Sequence, residues 1–350
     1  MDVYVLGASY QTIGVVDYCK SVIWTRRYCD VGDFELYLPA TEEALELLKF
    51  GALLQRADKP ESIMRVDTIS LTTDEESGDY LSVSGKGIEC VIGWRIVWNQ
   101  TNLNGTVPAA IGQLLTENLI SPAIPERKIE GITIGKLCEC NTVIQKQITG
   151  DNLLDSTKEI LTAYRMGFKV EFDGIGLVIS IYNGVDRSRR QTERPAVEFG
   201  AEYDNMLATQ YDASNAEMKN VALVAGEGEG ISRRRYTVGS AAGLDRREVY
   251  VDARDISSDA ESGTLPDDTY NSMLAAQGVE ALAETVATQS FSGTVEPGTN
   301  FTFEKDYFIG DIVQTTNEYG ISMAARITEM IECWDENGYS CTPTFDNKEV

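Results

Sequence analysis

Residues Asp306–Gly338 read DYFIGDIVQTTNEYGISMAARITEMIECWDENG, and this stretch decides what fold to expect. Apolar and polar residues alternate along it, which is the period of a strand buried on one face. Phe308-Ile309-Gly310-Asp311-Ile312-Val313 runs into a turn at Asn317-Glu318-Tyr319-Gly320. The chain then returns through Ile321, Met323, Ala325, Ile327, Met330 and Ile331. A second stretch has the same rhythm: Asn220–Val238, NVALVAGEGEGISRRRYTV, followed after Gly239 by the turn-rich SAAGLDRREVYVDARDI. Two such units predict a chain dominated by β-structure.

Working outward, residues 1 to about 98 are mostly short strand candidates: Val15-Val16, Val22–Trp24, Phe34–Leu38, Ile63–Val66 and Tyr80–Ser84. One helix interrupts them over Thr41–Leu48, with Thr41 as N-cap and Leu45 and Leu48 turned to the sheet. From Asn99 the pattern becomes helical. Val107-Pro108 opens a helix with Ile111, Leu114, Leu115 and Leu119 on one stripe. Asp151 is the expected cap of another, with Leu153, Ile160, Leu161 and Tyr164 along it. A strand pair, Phe168–Phe172 and Leu177–Tyr182, turns at Asp173-Gly174, and the basic Asp186–Pro195 reads as an exposed connection. Strands resume at 197, a helix of about twenty residues follows Asp267-Asp268, and strands return from Phe291 to about Phe345.

Composition narrows the function classes. A chain of 350 residues with 43% hydrophobic and 24% charged residues is globular, and its length predicts two to three domains. No run approaches the roughly 18 apolar residues of a membrane span. The N-terminal MDVYVLGASYQTIG lacks the basic start and long apolar core of a signal peptide, so the chain is expected to be made in the cytoplasm. There is no histidine, which removes Ser-His-Asp and Cys-His catalysis and histidine metal sites. The net charge of −25 disfavours nucleic acid as a ligand. Nine acids and no Lys or Arg fall between Asp255 and Glu304. A solvated face is the ordinary explanation, and the wall of a channel that DNA slides along is the sharper one.

The motifs that tempt a chemical assignment are weak. Gly226-Glu227-Gly228-Glu229-Gly230 lacks phosphate-loop spacing, has two glutamates where an anion would bind and precedes a strand pattern, so a glycine turn is expected. Arg233, Arg234 and Arg235 alternate faces on a strand and pair with acids more readily than with a phosphate. Asp252 and Asp255, with Arg254 between them, make a poor metal or catalytic pair. The seven cysteines are irregularly spaced, and the one tight pair, Cys138 and Cys140, lacks the further ligands a metal requires. Trp94 and Trp98 share a face if the segment is a strand. Core packing is the default for them, and a carbohydrate platform the alternative. No catalytic, cofactor or metal residue is assigned.

In their order, Gly150–Tyr164 (GDNLLDSTKEILTAY), Val221–Tyr236, Leu244–Ile256 and the terminal GDIV strand with its long return resemble the siphophage tail hub family. The hub is the structural N-terminal part of tail-associated lysin proteins. The resemblance implies a mainly β, α+β chain. Residues 1–98 form a first tube-like β-barrel, 99–196 with 240–290 an inserted α/β middle domain, and 197–239 with 291–350 a second, split barrel. It further implies a homotrimer whose six barrels make a pseudo-sixfold ring that continues and closes the tail tube at the tip of the virion. The implied partners are copies of itself, the distal tail protein, the tail tube, the tape measure protein and tip or receptor-binding proteins. DNA passes the lumen without specific binding. Many relatives continue into a fibre or a peptidoglycan hydrolase, whereas this sequence stops at Val350, so the expectation is a structural protein and not an enzyme. The competing expectation is a tail-associated cell-wall hydrolase or carbohydrate-binding tail protein.

Overall fold

Alternation along the strands builds the molecule. In Asp33–Pro39 the side chains of Phe34, Leu36 and Leu38 are buried while Glu35 and Tyr37 face outward. The computed structural model describes residues 1–73, 78–260, 263–295 and 300–346. Eleven of its strands lie side by side in one sheet, in the order Met206–Ser214, Thr288–Val295, Gly338–Asp346, Ser322–Asp335, Ser21–Arg27, Asp33–Pro39, Tyr80–Gly87, Lys59–Thr72, Leu53–Arg56, Val3–Leu6 and Thr12–Val16. Ile312–Thr316 adds to Ser322–Asp335 and is itself paired, in parallel, with Glu198–Gly200. This sheet encloses two separate cores. Trp24, Leu36, Leu38, Leu54, Val66 and Val83 belong to the first; Phe199, Phe291, Val313, Ile327, Met330 and Phe345 belong to the second.

The chain is mainly β as expected, but of the two expected tube-like β-barrels neither is seen to close: among the described residues one continuous sheet serves both halves. The reason is the length of Ser322–Asp335, 14 residues. Its first part pairs with Ile312–Thr316, and its second pairs with Ser21–Arg27, Val22 opposite Trp334 and Arg27 opposite Glu329. The outer edge of Ser21–Arg27, which would close the first half on itself, is thereby given to the second. In the second half the end strands stop short of a ladder. The fully buried Asn205 links Glu198–Gly200 to the turn before Met206, accepting from Gly200 N at 3.0 Å and donating to Glu198 O at 2.8 Å.

Four α-helices occur among the described residues: α1 (Glu42–Leu47), α2 (Val107–Leu115), α3 (Leu153–Ala163) and α4 (Asp267–Glu284). Thr41 caps α1, its hydroxyl accepting from Ala44 N at 3.0 Å. Ala44 and Leu48, one turn apart, face inward, so Leu45 is rotated out and left 39% exposed, contrary to the pattern reading. The cap of α3 is Asn152 and not Asp151: its Oδ1 accepts from Leu154 N and Asp155 N, while the Asp151 carbonyl is occupied by Val97 N–H. Helix α2 continues into a π-helical turn, Thr116–Ile120, and buries the expected stripe of Ile111, Leu114, Leu115 and Leu119. Helices α2 and α3 pack with a mixed sheet of Ile132–Leu137, Leu177–Tyr182 and Gly167–Phe172 and with the pair Thr101–Thr106 and Val143–Ile148.

The hairpin of Val221–Ala225 with Arg235–Val238 forms around the expected glycine turn, where Gly228 and Gly230 have positive φ. Grouped by sequence with the second barrel, these strands instead join Glu248–Asp252 in a three-stranded sheet of their own, covered on one side by α4. Helix α4 also packs against Val143–Ile148 and α3. Lys146 and Glu280 form a buried ion pair across that contact.

Candidate functional site

The densest chemistry in the chain lies where the two halves of the large sheet meet. Arg56, fully buried at the end of its strand, donates to both oxygens of Glu332, Nη1 at 2.8 Å and Nη2 at 3.2 Å. Its other edge holds Asp58 at 2.7 and 3.1 Å. Trp334 lies 4.3 Å from the guanidinium and Trp24 5.8 Å, so two indoles border the pair. Arg26 Nη2 reaches Glu332 at 2.8 Å and its Nη1 reaches Glu304 at 2.5 Å, while Lys59 pairs with Glu304. Tyr339 completes the Glu332 shell with a hydroxyl donated at 3.2 Å. Three cations therefore meet three carboxylates, and the cluster is neutral. Burial alone would raise the Glu332 carboxyl, but Arg26 and Arg56 outweigh it and hold its pKa at about 2. For Glu304 burial is likewise overcome, by Arg26 and Lys59, and its pKa is lowered.

A second junction joins all three parts of the chain. Asp311 is 2% exposed and accepts from Val185 N at 2.7 Å, Arg187 Nε at 2.6 Å and Phe308 N at 3.1 Å. Gly310, at φ +94°, lies against the Tyr28 ring so closely that a side chain there would strike it. Tyr28 donates to Arg165 O at 3.0 Å and meets Tyr182 edge-on. Thus the start of Asp186–Pro195, expected as an exposed connection, is anchored: Arg187 is tied to Asp311 and Ser188 is fully buried. Its later residues Arg189, Arg190 and Thr192–Pro195 are exposed. Between the two junctions lies a cleft of about 370 Å³ lined by Arg26, Glu61, Glu89, Lys169, Arg187 and Asp311, among others. Arg26 Nε and Glu89 Oε2 are buried there without a hydrogen-bond partner among the described residues. Burial pushes the Glu89 carboxyl up to about 7.

The residues singled out by sequence are otherwise occupied. Arg233 is held by Asp252, the Tyr250 hydroxyl and two backbone carbonyls; Arg234 pairs with Asp267 and Glu227. Hydrogen bonds from Arg254 and Arg233 lower the Asp252 pKa, which makes it an ion-pair acceptor and a poor base. Cys138 Sγ lies 3.9 Å from Met166 Sδ, and among the described residues no group of His, Cys, Asp or Glu has a metal-holding arrangement. The acidic window is not one uniform face. Glu280, Glu304 and Asp267 are paired, Glu261 and Glu296 lie outside the described residues, and Asp255, Asp259, Asp268 and Glu284 are exposed. Trp94 and Trp98, assigned by default to the core, are 50% and 55% exposed. Sequence reasoning missed Arg26, Arg56, Glu304, Glu332 and the Asp311 clamp. A signal existed: Glu332 occupies an inward slot between Met330 and Trp334 on an alternating strand.

No helix among the described residues is long and apolar enough to cross a membrane. Two β-cores joined through one sheet and fastened by ion pairs define a fold shared with phage tail proteins. The 43 kDa tail protein of prophage MuSo2 from Shewanella oneidensis superposes with a TM-score of 0.65 at 15% identity, covering 100% of this chain and 99% of that one. A tail protein from Neisseria meningitidis MC58 gives 0.60 at 12% identity over 99% and 96%. Prophage tail protein gp18 from Listeria monocytogenes EGD-e gives 0.58 at 14% over 100% and 96%. The chain belongs to the Siphovirus ReqiPepy6 Gp37-like protein family, whose model matches residues 2–345. No curated protein matches it.

Proposed function

We propose that the chain is a non-enzymatic structural protein of a siphovirus tail, the hub at the tail tip, acting as a homotrimer that continues and closes the tail tube. The observation that carries this reading is the pairing of two β-cores within one sheet, fixed rigidly by the Arg26–Arg56–Glu304–Glu332 cluster. Three protomers present six such modules, the number needed to match a sixfold tube with a closed, symmetric ring. Residues 1–98 supply one module. Residues from 197 to about 214 with those from 288 onward supply the other, and the helical middle lies outside the tube wall. The acid surplus, −25 per protomer, keeps the passing duplex from adhering, because phosphates find few cations to replace their counterions. The partners follow from the position: tail tube, distal tail protein, tape measure protein and tip or receptor-binding proteins in the virion, with assembly in the host cytoplasm.

The test is symmetry. Light scattering should give three times the 38.6 kDa protomer mass, and electron micrographs of the purified chain should show a threefold ring with a central hole. A particle that stays a protomer at high concentration, or has no hole, overturns the proposal.

A further inference from the structure

Neither the junctions nor the cores account for the strip Trp94–Trp98. Arg95 is extended (φ −120°, ψ 153°), Ile96 bridges to Asn152, and Val97 exchanges backbone hydrogen bonds with Asp151 and Gly150. The segment is therefore extended around a single bridge at Ile96, and its side chains alternate in exposure. Val97 is fully buried, whereas Ile96 and Trp98 on the other face are 40% and 55% exposed, beside the half-exposed Trp94. A solvent face calls for polar residues, and two indoles with an isoleucine occupy it instead. The strip is braced by neighbouring arginines. The Arg65 guanidinium lies 5.0 Å from the Trp94 ring and that of Arg127 5.3 Å from Trp98. Arg95 Nε donates to Arg127 O at 2.7 Å and Arg127 Nη2 to Ile96 O at 2.5 Å. Burial and the neighbouring Arg95 charge lower the Arg127 pKa. Among the described residues neither arginine has a carboxylate partner, in a chain with 55 acids and 30 bases.

We propose that Trp94, Ile96 and Trp98, with Arg95 and Arg127, form a contact surface for a second copy of this chain, receiving exposed carboxylates among its Asp255, Asp259, Asp268 and Glu284. This rests on the homo-oligomer proposed above and names the surface that makes it. The complement is present on every copy. Asp255, Asp259, Asp268 and Glu284 are exposed, have no cationic partner among the described residues, and lie in a stretch without Lys or Arg. Tryptophan and arginine are the side chains that dominate protein contacts when desolvated, and a charge-assisted Arg–carboxylate bond strengthens as the indoles exclude water. In the threefold ring proposed above, each copy's strip meets the acids of the next, a head-to-tail contact that closes. Nucleic acid is disfavoured by the overall charge, and a stacked sugar by the guanidinium already over each indole.

The experiment compares the full chain with R95E/R127E, with W98A, and with D255K/D259K/D268K/E284K, by sedimentation velocity. Trp98 and the four acids are exposed while Arg95 and Arg127 are half-buried, so an unchanged circular dichroism melt checks each fold. The expected result is assembled wild type, R95E/R127E and the lysine variant each shifted to protomer, and association regained only in part when those two are mixed, because a ring of three restores two of its three contacts. W98A should weaken assembly. A wild type that is itself a protomer overturns the oligomer reading and this surface with it. A wild type that assembles while all variants assemble equally overturns the surface alone. Wild-type binding of a labelled oligonucleotide or wall saccharide that W98A abolishes assigns the strip to that ligand and also overturns the proposal.

Discussion

Replacing Glu332 by glutamine keeps the shape of the buried cluster and removes one negative charge, leaving Arg26, Arg56 and Lys59 opposed only by Glu304 and Asp58. The Glu332 side chain is 2% exposed, so solvent screens little of the loss. Its carboxyl is held at about 2 against an ordinary 4.5. At about 1.4 kcal/mol per unit, that displacement is worth on the order of 3 kcal/mol. Removing one partner of a buried ion pair costs about 3–5 kcal/mol by a separate route, so the two figures agree. Urea unfolding followed by the fluorescence of Trp24 and Trp334, which border Arg56, should show E332Q with a lower midpoint and an unchanged slope. The control is E130Q: Glu130 is 80% exposed in its pair with Lys128, and its loss should shift stability by no more than about 1 kcal/mol. The sign with pH follows from the depressed folded pKa. The contribution is present above 4.5 and fades as pH falls towards about 2, where E332Q and wild type should converge. Equal midpoints for E332Q and E130Q at pH 7 would refute the reasoning.

Three further perturbations test other parts. Glu89 behaves in the opposite sense: its pKa is raised to about 7, so its contribution favours the folded state below 4.5 and is lost as pH rises through about 7. E89Q should accordingly melt higher than wild type at pH 8 and level with it at pH 4, and a constant difference across that range would contradict the burial argument. D311N weakens the hydrogen bonds to Val185 and Phe308 and unpairs Arg187; a loss of about 1–3 kcal/mol is expected in thermal melts, with faster proteolysis between residues 186 and 195. T41A removes the α1 cap and should cost about 1 kcal/mol; an unchanged melt would show that the Ala44 N–H is satisfied by other means.

Local structure was legible in the sequence because its signals are local. The stripe of α2, the Thr41 cap and the Asp173-Gly174 turn each depend on neighbours within a few positions. Asn152 was misassigned by one residue because Asp151 is an equally good cap by type, and only the Val97 contact decides between them. Larger errors came from pairing at a distance. The 221–238 hairpin has the same alternation whichever sheet receives it, so its separation from the large sheet left no mark on its composition. Arg26 and Glu332 are 306 positions apart, and neither carries a local signature of its partner. For Trp94 and Trp98 the parity argument needed a strand, but Trp94 ends a 3-10 turn, and period two does not say which residues meet water.

The ladder between Ser21–Arg27 and Ser322–Asp335 also sets an order of events on the ribosome. Val22 and its neighbours leave the exit tunnel about 300 residues before their partners, a delay of about 15 to 60 s at ordinary elongation rates. Throughout that interval the nascent N-terminal half carries an unpaired strand edge, together with Arg26 and Arg56 lacking the acid that neutralises them. The first half therefore completes its sheet only once Ser322–Asp335 has been made.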